Sequence, residues 1–95
     1  MSVPVLDPDL LQAFVAVADH RSFTRAAAAL NRTQSAISMQ VKRLERTVDQ
    51  PLLERTGRGV HLTPQGTSLL AHAQRILQYH DEALAELRSA EAAAG

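Results

Sequence analysis

The sequence predicts a mostly α-helical fold: three helices, a short two-stranded hairpin, then one long helix. Three observations carry that expectation. Apolar residues recur at helical spacing through three stretches before residue 50. Two short apolar runs flank a glycine-bearing tip, and a leucine recurs every seventh residue through the last third of the chain. A length of 95 residues suits one domain with a modest core, and 45% hydrophobic content is that of a globular chain. Aromatic residues make up only 3%, which argues against single-strand binding by base stacking. Cysteine is absent, so disulfides, thiolate metal sites and cysteine nucleophiles are excluded. There is no apolar run of transmembrane length, and MSVPVLDPD lacks the basic start of a signal peptide. A cytoplasmic protein without membrane association is the expectation.

Taken in order, Met1 to Leu6 reads as a loose tail. Asp7-Pro8-Asp9 then starts the first helix: an acceptor cap, a proline at the first helical position and an acid favourable to the helix dipole. Leu10, Phe14 and Val17, with Leu11, Val15 and Ala18, form a wide apolar stripe, so this helix is scaffold. Asp19-His20-Arg21 closes it. Ser22 is placed to cap a short helix from Phe23 to Leu30, in which Phe23, Ala26, Ala27 and Leu30 share a face. Asn31 and Arg32 leave room only for a sharp turn, and asparagine tolerates the left-handed conformation such turns need.

Thr33 caps the next helix, which runs to Val48. At about 100° per residue, Ile37, Val41, Leu44 and Val48 fall within roughly 40° of one line. The opposite side carries Ser35, Met39, Lys42 and Arg46, flanked by Ser38 and Arg43, with Glu45 well off it. One stripe is therefore buried, and the other offers hydroxyls, a thioether and cations. Two helices broken by a tight turn in this way have the form of a helix-turn-helix, whose second helix fits a DNA major groove. A packed pair with an ordinary solvated face is the alternative.

Asp49-Gln50-Pro51 ends that helix. Leu52 to Arg55 and Val60 to Leu62 read as short strands around Thr56-Gly57-Arg58-Gly59. A lone hairpin is unstable and must lie against the helices, as a wing does. Arg58, at the tip, is either a solvated turn residue or a contact to phosphate or the minor groove. Thr63-Pro64 starts a helix continuing to about Ala90, roughly 27 residues or about 40 Å. Leu70, Leu77 and Leu84, joined by Ala73, Ile76, Ala83 and Leu87, make a seam longer than this domain can cover. A second copy of the same helix is the expected partner, although Leu69, Leu70 and Ile76 could instead serve the home core. EAAAG at the end reads as a cut or a linker.

Net charge is zero, yet it is unevenly spread. Residues 1–19 carry −3, residues 20–63 carry +5 and residues 64–95 carry −2. The middle segment, which holds the helix pair and the wing, is where a phosphate backbone would be felt. His72 and His80 stand two helical turns apart with no further ligand cluster, so no metal or other cofactor is expected. No Ser-His-Asp set or carboxylate pair has supporting context, and no catalytic residues or enzymatic activity are expected.

The run FTRAAAALNRTQSAISMQVKRLE, followed by PLLERTGRGVHLTPQG, resembles the N-terminal DNA-binding domain of LysR-type transcriptional regulators, a bacterial family, over about residues 7–90. Ala26-Ala27, Leu30, Gln34-Ser35, Ser38, Leu44-Glu45, Arg55, Leu62-Thr63 and Gly66 carry the resemblance in one collinear order. It implies a winged helix-turn-helix over residues 1–63 and a linker helix over 64–95. That helix would pair antiparallel with its counterpart through Leu70, Ala73, Leu77, Leu84 and Leu87. The implied function is binding of double-stranded DNA, at an inverted-repeat operator, by a homodimer that regulates transcription; a tetramer is open to the full-length protein. Family members are near three times this length, with a C-terminal effector-sensing domain, so the chain looks like an excised fragment. More narrowly, LDPDLLQAFVAVAD and RTQSAIS resemble the LrhA/HexA subgroup, regulators of motility and virulence traits.

The resemblance assigns base reading to Gln34, Ser35, Ser38 and Met39. Gln34 has the chemistry for a bidentate contact to adenine, and serines suit any base. Met39 departs from the family's frequent arginine, leaving apolar contact such as a thymine methyl group. Arg32, Thr33, Lys42, Arg43 and Arg46 would hold phosphates, and Arg58 matches the wing-tip position that enters the minor groove. Arg55 either joins the phosphate contacts or pairs with Glu45 or Glu54. Asp49 replaces a common glycine and Leu53 a common phenylalanine. Gln34 has its own alternative, which is to satisfy local backbone groups. For the whole chain the competing reading is a winged-helix module for protein association, with the long helix as its functional surface.

Overall fold

The computed structural model describes residues 4–94, apart from the side chains of residues 92–94. The elements follow in order: α1 (Pro8–His20), α2 (Phe23–Leu30), α3 (Gln34–Val48), β1 (Leu53–Thr56), β2 (Gly59–Leu62) and α4 (Pro64–Ala94). Each of the first three helices begins on a side-chain cap that accepts from an otherwise free backbone N–H. Asp7 Oδ1 accepts from Asp9, Ser22 Oγ from Arg25 and Thr33 Oγ1 from Ala36, at 2.9, 3.1 and 3.0 Å. Each also ends on a non-glycine residue in the left-handed region: Arg21, Asn31 and Asp49, with φ of 52°, 54° and 54°.

Helix α1 is the pillar between two apolar clusters. Ala13, Ala16 and Val17 join Phe23, Ala26, Ala27, Ile37, Val41 and Val60 on one side. Leu10, Leu11 and Phe14 join Leu44, Leu52 and Ala73 on the other. The anticipated stripes on α2 and α3 are thus the buried ones, with Leu30 and Val48 half-buried. On α1, Ala13 and Ala16 are buried too, so the helix is enclosed more completely than its larger apolar residues indicated. The buried alanines of α2 carry only a methyl group, which lets the two helices pack closely.

The hairpin is antiparallel, with Leu53 opposite Leu62, Arg55 opposite Val60 and Thr56 opposite Gly59. Gly57 and Arg58 form its two-residue turn, and Gly59 sits at φ 115°, a conformation that side chains rarely adopt. Its entry is held by a latch across three elements. Glu45 Oε2 accepts from the Leu52 N–H at 2.7 Å and from the Leu53 N–H at 3.4 Å. Thr63, itself buried, donates its hydroxyl to the Pro51 carbonyl at 2.6 Å and accepts at Oγ1 from the Gly66 N–H at 2.9 Å. The Thr63 N–H donates to the Leu52 carbonyl at 3.0 Å. Thr63 is therefore the cap of α4, as its place before Pro64 indicated.

Three expectations need correction. The opening segment is not loose throughout: Leu6 is half-buried against the second cluster, whereas Met1, Ser2 and Val3 lie outside the described residues. Helix α4 has 31 residues, about 46 Å, and runs through Glu91-Ala92-Ala93-Ala94. Alanine is the strongest helix former, so EAAA extends the helix rather than ending it, and Gly95 is outside the described residues. Finally, the residues of α4 that serve the home core are Leu69, Leu70, Ala73 and Leu77. Ile76 is turned to solvent.

A methyl group on Gly66 would fall inside the van der Waals envelope of the Leu52 carbonyl oxygen and 3.1 Å from Leu62 Cδ2. The Leu52 contact is with backbone, which leaves little room to relax. Gly66→Ala is expected to cost at least about 2 kcal/mol, a fall in Tm of roughly 8–16 °C by calorimetry. An unchanged Tm would show that this approach is looser than described.

Candidate nucleic-acid interface

Burying Ile37, Val41 and Leu44 leaves α3 no choice about what faces outward. Gln34, Ser35, Met39 and Lys42 are exposed and Ser38 is half-exposed. With Arg55 of β1 they line one shallow depression. Met39 is 59% exposed, a large apolar side chain set among polar and cationic neighbours. The caps place the helix start on this face, so the free N–H groups of its first turn lie beside Gln34 and Ser35.

Two of these side chains are held. Thr24 Oγ1, in the first turn of α2, donates to Gln34 Oε1 at 3.2 Å. The Arg55 guanidinium lies 4.0 Å from the centroid of the Phe23 ring and donates from Nη2 to Ser38 Oγ at 3.4 Å. Neither alternative reading holds here: Gln34 is bonded to a side chain on another helix rather than to local backbone, and Arg55 stacks on an aromatic face instead of pairing with Glu45 or Glu54. Cation–π attraction is worth about 0.5–1 kcal/mol at an exposed site and fixes the plane of the guanidinium. The stacking ties the wing to the first helix of the pair and brings a wing cation to the edge of α3.

The remaining cations divide. Lys42, Arg43, Arg46 and Arg58 are exposed. Lys42 and Arg46 also border a depression with Asp49, Gln50 and Pro51, whereas Arg43 borders one with Asp7 and Leu10 on the α1 side. Arg58 stands at the hairpin tip, its N–H bonded to Thr56 Oγ1 at 3.2 Å. Arg32 is different. Nη2 donates to Gln12 Oε1 at 2.6 Å, and Nη1 to Gln40 Oε1 at 3.2 Å and the Asp9 carbonyl at 3.4 Å. The Asp9 carboxylate is 3.8 Å away. Arg32 thus braces α1 against α3, beside the phosphate role expected of it. Three of its five N–H donors are engaged in these bonds, and Gln12 of α1 and Gln40 of α3 are the partners the sequence reading missed. Thr33 is exposed, and its Oγ1 accepts from Ala36 at the helix cap while its O–H remains a donor.

The expected pairing seam on α4 is split as well. Ala73 is fully enclosed by the chain's own core, and Leu70 and Leu77 are half-buried against it. Leu84 and Leu87 are 42% and 68% exposed, as is Tyr79 at 72%. Bare apolar groups therefore run from Ile76 through Tyr79 and Leu84 to Leu87. Among the described residues no group of three or more His, Cys, Asp or Glu side chains is arranged to hold a metal ion. No helix among them is long and apolar enough to cross a membrane.

A family model described as bacterial regulatory helix-turn-helix protein, lysR family, matches residues 8–67. The transcriptional regulator DgdR of Burkholderia cepacia is 62% identical over 82 residues, covering 86% of this chain and 28% of that protein. PecT of Dickeya dadantii is 51% identical over 82 residues, covering 86% and 26%. The chain thus spans little more than a quarter of the length of these relatives. Among solved structures, the BenM_DBD/catB site 1 DNA complex superposes with a TM-score of 0.84 at 33% identity, covering 88% of this chain and 94% of that one. CbnR, a LysR family transcriptional regulator, gives a TM-score of 0.83 at 33% identity, covering 88% and 29%.

The brace at Arg32 predicts a contrast between two cations. Arg32→Met keeps the aliphatic stem but loses the charge-assisted bonds. It is expected to cost about 1–2 kcal/mol, or roughly 5–10 °C in Tm. Lys42→Met, on the open face, is expected to move Tm by less than about 4 °C. Equal shifts would mean that Arg32 is an ordinary surface charge.

Proposed function

The chain belongs to the lysR family of bacterial regulatory helix-turn-helix proteins, and from that premise we propose that it binds double-stranded DNA in a sequence-specific way to regulate transcription. The observation that carries the reading is the open face of α3, where an amide, hydroxyls, a thioether and a lysine stand together with Arg55 beside them. Helix α3 enters a major groove, with Gln34, Ser35, Ser38 and Met39 at base edges. Lys42, Arg43 and Arg46 hold phosphates, with Arg55 adding charge at the groove edge, and Arg58 reaches a minor groove from the wing tip. Residues 1–63 act as the DNA-binding unit. Residues 64–95 form the linker helix, whose outer half pairs with a second copy through Leu84 and Leu87, while its inner half also belongs to the core. A homodimer of this kind matches an inverted-repeat operator.

The same reading carries a cytoplasmic location, no enzymatic activity and no cofactor. The narrower placement in the LrhA/HexA-like subgroup rests on LDPDLLQAFVAVAD and RTQSAIS and is part of the proposal. A protein-association module is disfavoured by the exposed polar and cationic make-up of the α3 face, which suits phosphate and base edges better than a dry protein contact.

About four phosphate contacts per protomer, from Lys42, Arg43, Arg46 and Arg55 at the groove edge, give a dimer a log–log salt slope of roughly −7. Titrating binding to a promoter duplex between 50 and 200 mM salt, on the order of the usual range, measures it. A slope near zero would remove the electrostatic part of the reading. Gln34→Ala is expected to weaken binding to a selected operator by about 1–3 kcal/mol and to leave random duplex nearly unaffected. Equal losses on both duplexes would show that Gln34 does not read bases.

A further inference from the structure

The bond between Thr24 and Gln34 bears on which base Gln34 accepts. Both side chains are exposed, on separate helices, and meet only through Thr24 Oγ1 and Gln34 Oε1 at 3.2 Å. Thr24 donates, so the amide oxygen is held toward α2. Among the described residues no hydrogen bond from Gln34 Nε2 is found, and its two N–H groups stay available. A bidentate glutamine–adenine pair needs both ends of the amide: oxygen accepting from N6 and nitrogen donating to N7. The oxygen keeps a second lone pair, but with the bond turning it toward α2 the amide presents its N–H groups to the groove. Its matching edge is guanine, which presents two acceptors, N7 and O6, in the major groove, and its mismatch is a base that presents an amino group. In water such a bond adds little. Once a duplex covers Gln34 and excludes water, the bond strengthens and the orientation is fixed more firmly.

We propose that Thr24 is a positioning residue that sets the base preference of Gln34, turning a potential adenine reader into a donor that favours guanine. The inference rests on the base-reading role of Gln34 given above.

The test uses duplexes selected from a random pool by the unaltered protein, remade with each of the four base pairs at every position of the half-site. Gln34→Ala identifies the position that Gln34 reads, as the one where the base profile flattens. At that position the unaltered protein is expected to prefer guanine over adenine. Thr24→Val, which keeps the shape but lacks the hydroxyl, is expected to shift the ratio toward adenine by roughly threefold to tenfold, while Thr24→Ser keeps the original profile. The profile is a ratio of affinities, so a general loss of stability or of phosphate contact in Thr24→Val would lower all four values together and leave it unmoved. An unchanged profile in Thr24→Val, with Gln34→Ala still flattening it, overturns the proposal alone. A preference of the unaltered protein for adenine, or for cytosine with its N4 donor, overturns it as well, since either requires the amide oxygen to face the base. A Gln34→Ala profile unchanged at every position overturns both this proposal and the role of Gln34 beneath it.

Discussion

The carboxylate of Glu45 fixes the relation between the two parts of the proposed DNA-binding surface. It leaves the inner flank of α3 and takes the backbone N–H of Leu52, one residue before the hairpin begins. The rest of the latch follows from that bond. Leu52 in turn accepts from the Thr63 N–H, and Thr63 caps the helix that Gly66 allows to pack against it. A charged acceptor on a partly buried N–H is among the stronger hydrogen bonds available, and losing it would strand the donor. One acid, whose charge is unhelpful beside a phosphate backbone, is thus spent on the side of the helix where it holds the wing and α4 in register.

Charge in this protein is organised by commitment rather than by count. A net charge of zero hides a basic middle segment, and within that segment the structure separates cations by their partners. Arg32 is locked to Gln12 and Gln40, and Arg55 is stacked on Phe23. Lys42, Arg43, Arg46 and Arg58 are exposed. Arginine suits the first two positions because its planar fork can meet several acceptors, or an aromatic face, at fixed angles.

Most of the fold was legible because its signals are local. Caps at Asp7, Ser22, Thr33 and Thr63 mark every helix start, and the buried stripe of α3 follows from spacing alone. What was missed depends on side chains brought together by tertiary packing. Nothing in the sequence distinguishes Arg32 as a brace from Lys42 as a free cation, since the difference lies in glutamines 20 residues upstream and eight downstream. Nothing local marks Thr24, whose bond to Gln34 exists only because α2 and α3 are set at their angle. On α4 the heptad pattern was visible, but a repeat cannot say where the home core stops. That limit is set by how far α1 and the hairpin extend along the helix, leaving Leu77 half-covered and Leu84 bare.

The corners at Arg21, Asn31 and Asp49 have one more consequence. No glycine occurs before residue 57, so the whole three-helix head turns its corners on residues with side chains, two of them the Asn and Asp that tolerate such angles. Backbone without glycine has fewer shapes to wander among, both folded and unfolded. The hairpin is the opposite, with Gly57 in open space and Gly59 at an angle reserved for its kind. The three-helix head is thus the stiffer part of the chain and the hairpin tip the freer one, which suits the roles proposed for α3 in a major groove and Arg58 in a minor groove.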